Sequence, residues 1–163
     1  MGHPKAIALL ALLLLSGCAP LRWALIESLR EPGETNRTFP EIVWEEYDCE
    51  RQHRPFFVIE ENELAPRRTQ PGRSFAHRLV YAMCPLEPTG VVPGQLHTRI
   101  RFKGRFLVQE TDARFELKPG RWVVDTYVDL PQDAEPGVYA YEIDFESDSI
   151  AFDEHLTFLV EAR

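Results

Sequence analysis

Residues 118–145 constrain the fold of this chain more than any other stretch, because apolar and polar side chains alternate along two consecutive segments. Every second residue from Trp122 to Leu130 shares one face of the first segment, as in a strand buried on one side. Every second residue from Tyr139 to Phe145 does the same in the second. The intervening residues Pro131–Gly137 contain two prolines, which deny backbone donors to a ladder, and one glycine, which permits unusual dihedrals. The pattern therefore predicts two strands joined across a corner rather than by a tight hairpin.

The start of the second segment, Gly137-Val138-Tyr139, resembles the tyrosine corner of immunoglobulin-like sandwiches. In those domains a tyrosine at this corner bonds back to upstream backbone. The resemblance implies an all-β, antiparallel immunoglobulin-like or fibronectin-III-like β-sandwich of seven to eight strands, with Tyr139 as its structural corner. Antibody domains carry a cysteine two residues after this tyrosine. Here that position is Tyr141, so their inter-sheet disulfide cannot form at this place.

The rest of the chain supplies further short strands separated by turn signals, with no helical pattern between them, which favours a sandwich over a parallel sheet. We expect these strands at Pro55–Glu60, Phe75–Met83, Leu96–Phe102, Phe106–Val108, Arg114–Leu117 and Glu154–Glu161. Residues 42–47 could add another strand before them. Both faces of Phe75–Met83 carry apolar residues, so its inward face is not assigned by the pattern. The sandwich is predicted to occupy residues 51–163.

The N terminus has the pattern of a secretion signal, residues 1–17, with a basic start and an apolar run from Ala6 to Leu15. This run is too short for a transmembrane helix, which needs roughly 20 apolar residues. The quartet Leu15-Ser16-Gly17-Cys18 resembles the lipobox of bacterial lipoproteins. The resemblance implies cleavage before Cys18, acylation of Cys18 by palmitate and related chains, and stable anchoring, since each buried methylene contributes about 0.8 kcal/mol. An ordinary secretory signal with an incidental cysteine is the alternative.

Residues 18–50 are predicted to form the lipidated N terminus and a tether. Apolar residues recur at near-helical spacing from Leu21 to Arg30, which indicates a short helix. The polar stretch from Glu31 to Pro40 is typical of a linker. Ala19 after the cysteine resembles the sorting pattern of outer-membrane lipoproteins. We therefore expect a lipid-anchored protein of the bacterial cell envelope, in the outer membrane.

Two cysteines follow the lipidation site, Cys49 and Cys84. In a chain that leaves the reducing cytosol, a disulfide between them is the favoured state. Closing a loop of about 35 residues would stabilise the fold by roughly 3 to 4 kcal/mol on the chain-entropy model. Two free buried thiols, or one catalytic thiol, are the alternatives, although no CxxC pattern supports either.

Charge and motif content argue against nucleic-acid binding and catalysis. The formal net charge is −8, and the acidic average disfavours binding to phosphates without a local basic patch. The chain contains no glycine-rich phosphate loop, HExxH or GxSxG motif. We therefore expect a protein that is not an enzyme and needs no cofactor. His97 and His155 could share an outward sheet face, but isolated histidines on such a face are usually solvated.

The final predicted hairpin is acidic and could bind calcium, although its carboxylates lack the order of a known calcium loop. These carboxylates are Asp144, Glu146, Asp148, Asp153 and Glu154. A solvated acidic hairpin is the default interpretation.

Two charge stripes are predicted to be neighbours on one sheet. Arg99, Arg101 and Lys103 lie on one strand, and Glu142, Asp144 and Glu146 lie on another. The corresponding strands, C and F, pair in immunoglobulin-like sandwiches, so alternation places both stripes on the outer face. A free basic stripe that steers an acidic partner is the alternative.

The function expected from these features is that of a lipid-anchored binding or assembly domain facing the periplasm or the cell surface, with an envelope protein as its partner. The candidate interaction residues are Arg99, Arg101, Lys103 and Trp44. One alternative is a periplasmic protease inhibitor or chaperone-like domain that presents the loop Pro85–Gly94. Another is a carbohydrate- or metal-binding module that uses Trp44 or the acidic hairpin.

Overall fold

Two packed sheets of mainly antiparallel strands form the described part of the chain, as the sequence predicts. The computed structural model describes residues 31–87 and 89–162. The strands in this part are β1 (Gly33–Thr38), β2 (Phe56–Ala65), β3 (Arg68–Thr69), β4 (Ser74–Cys84), β5 (Val92–Phe102), β6 (Arg105–Leu117), β7 (Gly120–Asp129), β8 (Gly137–Glu146) and β9 (Ala151–Val160). One helix, α1 (Pro40–Glu46), lies between β1 and β2.

The strand order confirms an all-β sandwich. One sheet has the order β1-β7-β4-β2 and the other β3-β9-β8-β5-β6. The neighbours β2-β4-β7 correspond to strands A, B and E of an immunoglobulin-like domain, and β9-β8-β5 correspond to G, F and C. The short β3 adds a parallel pair with β9. The described residues thus contain nine strands, two of which, β1 and β3, the sequence pattern did not predict.

The inward-facing side chains of β7 and β8 fill the space between the sheets. Tyr139, Tyr141, Ile143 and Phe145 of β8 are all buried. Trp122, Val124 and Val128 of β7 pack against the same core from the opposite sheet. The predicted inward faces of both strands are therefore confirmed, since burying apolar area is the main favourable term in folding.

Strand β4 is buried on both faces because α1 covers the outer side of its sheet. Val43 of α1 packs with Ala82 and Cys84 of β4, while Leu79 and Tyr81 face the inter-sheet core. This second layer explains why the inward face of β4 could not be read from its sequence.

The prediction of a strand at residues 42–47 is wrong, because residues 42–46 belong to α1 and Tyr47 is its C-cap. Pro40 stands at the first turn, where its fixed φ suits a helix and its missing N–H costs nothing. Glu41 adds an acidic side chain in that turn, which the helix dipole favours. Val43 then faces the sheet, while Ile42 remains exposed.

The prediction of a tether at residues 31–40 is also wrong, since Gly33–Thr38 form the edge strand β1. This strand pairs with β7, from Gly33 opposite Asp125 to Thr38 opposite Arg121. Its side chains are polar because an edge strand needs only its backbone to pair and leaves its side chains in water. The sandwich therefore begins near residue 33 rather than at residue 51.

Strand β6 joins two segments that the sequence pattern predicts as separate short strands. It runs unbroken from Arg105 to Leu117 along the edge of its sheet. Two irregularities interrupt its pairing with β5, one near Leu107 and one near Ala113. Each inserts an extra residue, so the period of two breaks although the strand continues.

The predicted leader, Cys18 and the helix at 21–30 lie outside the described residues. Within the described part, no helix is long and apolar enough to cross a membrane.

Candidate interaction surfaces

Tyr139 makes the hydrogen bond that the corner resemblance implies. Its hydroxyl donates to the backbone oxygen of Glu135 at 2.7 Å. Its ring stacks on Phe102, with the centroids 4.2 Å apart. Gly137 has φ +151°, and a Cβ there would come within 2.8 Å of the Phe102 ring. The corner thus fixes the junction of β7 and β8 at one end of the sandwich.

Cys49 and Cys84 form the predicted disulfide. Both residues are buried, in a cluster with Val43 and Ala82. The bond links the segment after α1 to the last residue of β4. It therefore fixes the helix to the strand end from which the β4–β5 loop departs.

The predicted charge stripes meet across β5 and β8. Arg99 lies opposite Glu142, and His97 lies opposite Asp144. Arg99 binds the Asp144 carboxylate, and Arg101 Nε lies 2.9 Å from Glu142 Oε1. We call Arg99, Arg101, Glu142 and Asp144 the charge ladder.

Two members of the predicted stripes lie outside this ladder. Lys103 occupies the turn between β5 and β6 with φ +50°, and its ammonium group binds Glu135 at 2.6 Å. Glu146 lies opposite Gln95 at the other end of β8. Lys103 lies beyond the end of β5 at Phe102, and the antiparallel register places the uncharged Gln95 opposite Glu146.

The charge ladder is engaged within the molecule rather than offered as a free basic patch. Glu142 is buried although it is charged, which requires a counter-charge nearby. Phe106 of β6 adds a cation–π contact, with its centroid 4.6 Å from the Arg101 guanidinium carbon. Arg99 and Arg101 thus have internal partners.

The two histidines considered for a metal site lie on different strands of the same sheet with separate partners. His97 Nδ1 is 2.8 Å from the Thr111 hydroxyl. His155 Nε2 is 3.2 Å from an Asp153 carboxylate oxygen. No group of three metal-ligating side chains comes together within residues 31–87 and 89–162.

The carboxylates of the acidic hairpin are dispersed in the structure. Asp144 belongs to the charge ladder, and Glu154 accepts a hydrogen bond from Asn62 at 3.1 Å. Glu146 and Asp148 lie beside the β8–β9 turn, where they line an open cavity. The alternation of β8 and β9 separates residues that are close in sequence.

Trp44 of α1 is half-buried and packs against the cluster that contains Cys49 and Cys84. The Arg54 guanidinium carbon lies 5.1 Å from its ring centroid, and a cavity of about 300 Å³ lies beside it. Because an arginine covers one face of the indole, Trp44 is not a bare aromatic platform of the kind that stacks on a sugar.

A loop surface lies at the opposite end of the sandwich from the tyrosine corner, and it includes part of the loop Pro85–Gly94 that was predicted for an inhibitor or chaperone-like domain. Two open cavities, of about 660 and 270 Å³, lie on either side of residues 147–148. Leu86 is 64% exposed and Val91 is 44% exposed on the β4–β5 loop beside the smaller cavity. We call residues 85–87, 89–91 and 147–150 the loop end; the prolines and glycines between Pro85 and Gly94 were its sequence signal.

The described residues of the loop end are held in place by local hydrogen bonds. The Arg54 guanidinium donates to the Leu86 carbonyl at 3.3 Å. Ser147 Oγ accepts from the Ile150 N–H at 2.9 Å, and the Ser147 N–H donates to the Ile150 carbonyl at 3.0 Å. Hydrogen bonds thus stabilise the loops that carry the exposed apolar side chains, and carboxylates line both cavities.

A buried histidine lies between two polar side chains of neighbouring strands, and its partners were not foreseen from the sequence. His77 is 3% exposed; its Nε2 lies 2.9 Å from Asn62 Oδ1 and its Nδ1 lies 3.4 Å from the Thr126 hydroxyl. Burial lowers the pKa of His77 from 6.5 to about 4, against a smaller opposing effect of the Asp125 charge. His77 is therefore neutral at physiological pH.

Comparison with known proteins reveals fold likeness only. No family model matches the chain, and no curated protein matches it in sequence. A family 123 glycoside hydrolase from Clostridium perfringens shares 11% identity at TM-score 0.45, over 59% of this chain and 22% of that chain. The sporulation control protein Spo0M from Bacillus subtilis shares 14% identity at TM-score 0.45, over 66% and 50%.

A CARDB domain from Pyrococcus furiosus shares 16% identity at TM-score 0.42, over 67% of this chain and 89% of that chain. The present chain spans half or less of the first two structures. With TM-scores below 0.5, these likenesses carry no implication for what the chain does.

Proposed function

We propose that this protein is a non-enzymatic binding or assembly domain, anchored in the bacterial outer membrane through lipid on Cys18, that holds another envelope protein by its loop end. The lipobox resemblance supports the location. The observation that carries the binding role is the exposure of Leu86 and Val91 on a loop beside an open cavity. Binding residues are often found on loops that a rigid scaffold positions.

The basic side chains named as candidate interaction residues are not the proposed binding surface, because they are paired within the molecule. Arg99 and Arg101 already bind Glu142 and Asp144, so a partner would have to break these ion pairs to use them. Burial of Leu86 and Val91 against a partner would instead contribute favourable free energy to binding. Each Å² of apolar surface removed from water contributes about 25 cal/mol, and the carboxylates around the cavities give such a contact its polar rim.

In-cell photocrosslinking tests this proposal. A photoreactive phenylalanine analogue is placed at Leu86 or Val91 of the full chain, and crosslinked products are identified by mass spectrometry. The matched control position is Val138, which is 67% exposed and lies at the opposite end of β8. We expect one recurrent envelope protein from the first two positions and none from Val138.

Equal products from all three positions, or none from any, would contradict a binding loop end. Repeated capture of one hydrolase, with loss of that enzyme's activity on addition of the purified protein, would instead favour the inhibitor function.

A further inference from the structure

Within the described residues, the outer edge of β6 is a second exposed surface of the sandwich. This strand is the outermost of its sheet, so β5 pairs with it on one side and no described strand pairs on the other. Most of its side chains are exposed. An edge of this length offers unpaired backbone N–H and C=O groups to an added strand.

In the described part of the opposite sheet, the edge strand β1 is shorter than its neighbour β7. Strand β1 covers β7 only from Arg121 to Asp125. From Thr126 to Asp129, β7 continues beyond the end of β1 and pairs with β4. Thr126 lies opposite the buried His77, yet it is exposed, which shows that the interior is open here.

A cavity of about 120 Å³ lies between β6 and the last residues of β7. Its apolar lining comes from both sheets, with Ile100 and Val108 on one side and Val128 on the other. Val108 and Val128 are only partly buried and pack against the main core. An apolar side chain entering from outside would therefore extend the existing core, and we call this site the β6–β7 groove.

Charges at the groove select against a second copy of the chain. Glu110 lies opposite Thr98, and Asp112 lies opposite Leu96, so both carboxylates point to the inter-sheet side of an edge strand. Two copies paired edge to edge would bring these like charges together, which is destabilising.

The same charges fit a basic partner. Glu110 lines the groove and has no ion-pair partner among the described residues. Asp129 lines it from the other sheet, with one oxygen bound by the Ser74 hydroxyl at 2.6 Å. A strand with lysine or arginine beside its inserted apolar residue would neutralise these carboxylates, whereas an acidic strand would be repelled.

We propose that the β6–β7 groove binds an extended segment of a protein partner in which apolar residues alternate with lysine or arginine, by addition of that segment as a strand to the edge of β6. This surface is separate from the loop end and does not depend on it. The crosslinking experiment at Leu86 and Val91 can therefore fail without affecting the groove, and the reverse also holds.

Three synthetic peptides test the groove with the full chain purified in detergent. The probe is a nine-residue peptide of alternating lysine and valine. The first control has glutamate in place of lysine, and the second keeps the lysines but carries N-methyl groups on alternate amides, which block strand pairing. We expect the probe to bind at least tenfold more tightly than either control and to slow hydrogen exchange of the amides at residues 108–112.

A charge-reversed variant completes the test. Glu110→Lys should weaken the probe at least fivefold, whereas Asp133→Lys, which makes the same charge change at an exposed site in the β7–β8 connection, should change its affinity less than twofold. Equal weakening by both variants would show that only net charge matters and would overturn the proposal. Tight binding of the N-methylated peptide, or no slowing of exchange at residues 108–112, would also overturn it.

Discussion

His77 shows how one buried side chain can make the stability of the fold depend on pH. Both of its ring nitrogens lie near polar partners, Asn62 and Thr126, and its ring lies 4.9 Å from that of Tyr141. Protonation would place a charge in the core, where burial penalises it. The sequence pattern showed a histidine within an apolar strand but gave no means of predicting its partners, which come from two other strands.

This environment predicts that the protein loses stability as the pH falls from 6.5 to 4. The unfolded chain takes up a proton on His77 near pH 6.5, whereas the folded chain resists uptake until about pH 4. Stability is therefore fully present above pH 6.5 and declines below it, by about 3 kcal/mol at most, since each pKa unit corresponds to about 1.36 kcal/mol. Urea unfolding at pH 7, 6, 5 and 4.5 measures the decline.

The control for this prediction is the exposed His53. His77→Gln should flatten the dependence of unfolding free energy on pH across this window, and His53→Gln should not. Parallel curves for the wild-type protein and His77→Gln would refute the assignment to His77.

The paired strands β5 and β8 show what alternation can predict at the scale of elements. Outward residues are fixed by the inward ones, so assigning Ile100 and Ile143 to the core also places Arg99 and Glu142 outside. Knowing that strands C and F pair then makes them neighbours. Alternation does not determine the exact register of the two strands. The turn at residues 103–104 places Lys103 outside the ladder.

A double-mutant cycle on Arg99 and Asp144 tests the observed register. We expect a coupling free energy of about 0.5 to 1 kcal/mol, because both side chains are partly buried but an ion pair near the surface gains little. Arg101 with Asp144 is the control, because Arg101 lies opposite Ala140 and its observed carboxylate partner is Glu142. Stronger coupling for the control pair would mean that β5 and β8 are paired in another register.

Edge elements escaped prediction for a common physical reason. Strand β1 and the middle of β6 expose nearly all their side chains, so burial imposes no period of two on them. Helix α1 was missed because seven residues give only two turns of pattern. Interior strands such as β7 and β8 were predictable, since one face of each must be apolar.

The disulfide between α1 and β4 leads to a prediction at the same scale. Replacing Cys49 and Cys84 together by alanine should lower the free energy of unfolding by roughly 3 to 4 kcal/mol, measured by urea unfolding. Peptide mass spectrometry without reduction should recover the linked pair from the wild-type protein. Unlinked thiols in protein isolated from the envelope, or an unchanged unfolding free energy in the double variant, would contradict the bond.

For the whole molecule, the first prediction concerns the anchor. Labelled palmitate should enter the wild-type protein and fail to enter Cys18→Ser, because the lipobox resemblance assigns acylation to that sulfur. The variant should also lose its association with washed membranes, since the lipid is the proposed anchor. Equal labelling of both proteins would remove the basis for the envelope assignment.

The whole molecule combines a sandwich core with two exposed regions of different kind. The loop end offers apolar side chains on short supported loops, and the β6–β7 groove offers backbone and carboxylates. From the sequence, the loop Pro85–Gly94 was predicted only as the binding loop of an inhibitor or chaperone-like domain, and the groove was not predicted. Each surface assembles residues from strands that are distant in sequence. The scaffold that positions them was largely predictable from alternation and turn signals.

The most direct measurement of the central claim is the yield of the partner crosslink formed at Val91 when a charge is introduced nearby in the loop end. Leu86→Asp should reduce this yield at least fivefold, because it removes apolar contact and buries a carboxylate in the complex. Val138→Asp, an equivalent change at the far end of β8, should leave it within twofold of wild type. An unchanged yield in Leu86→Asp, or an equal loss in both variants, would contradict recognition through the loop end.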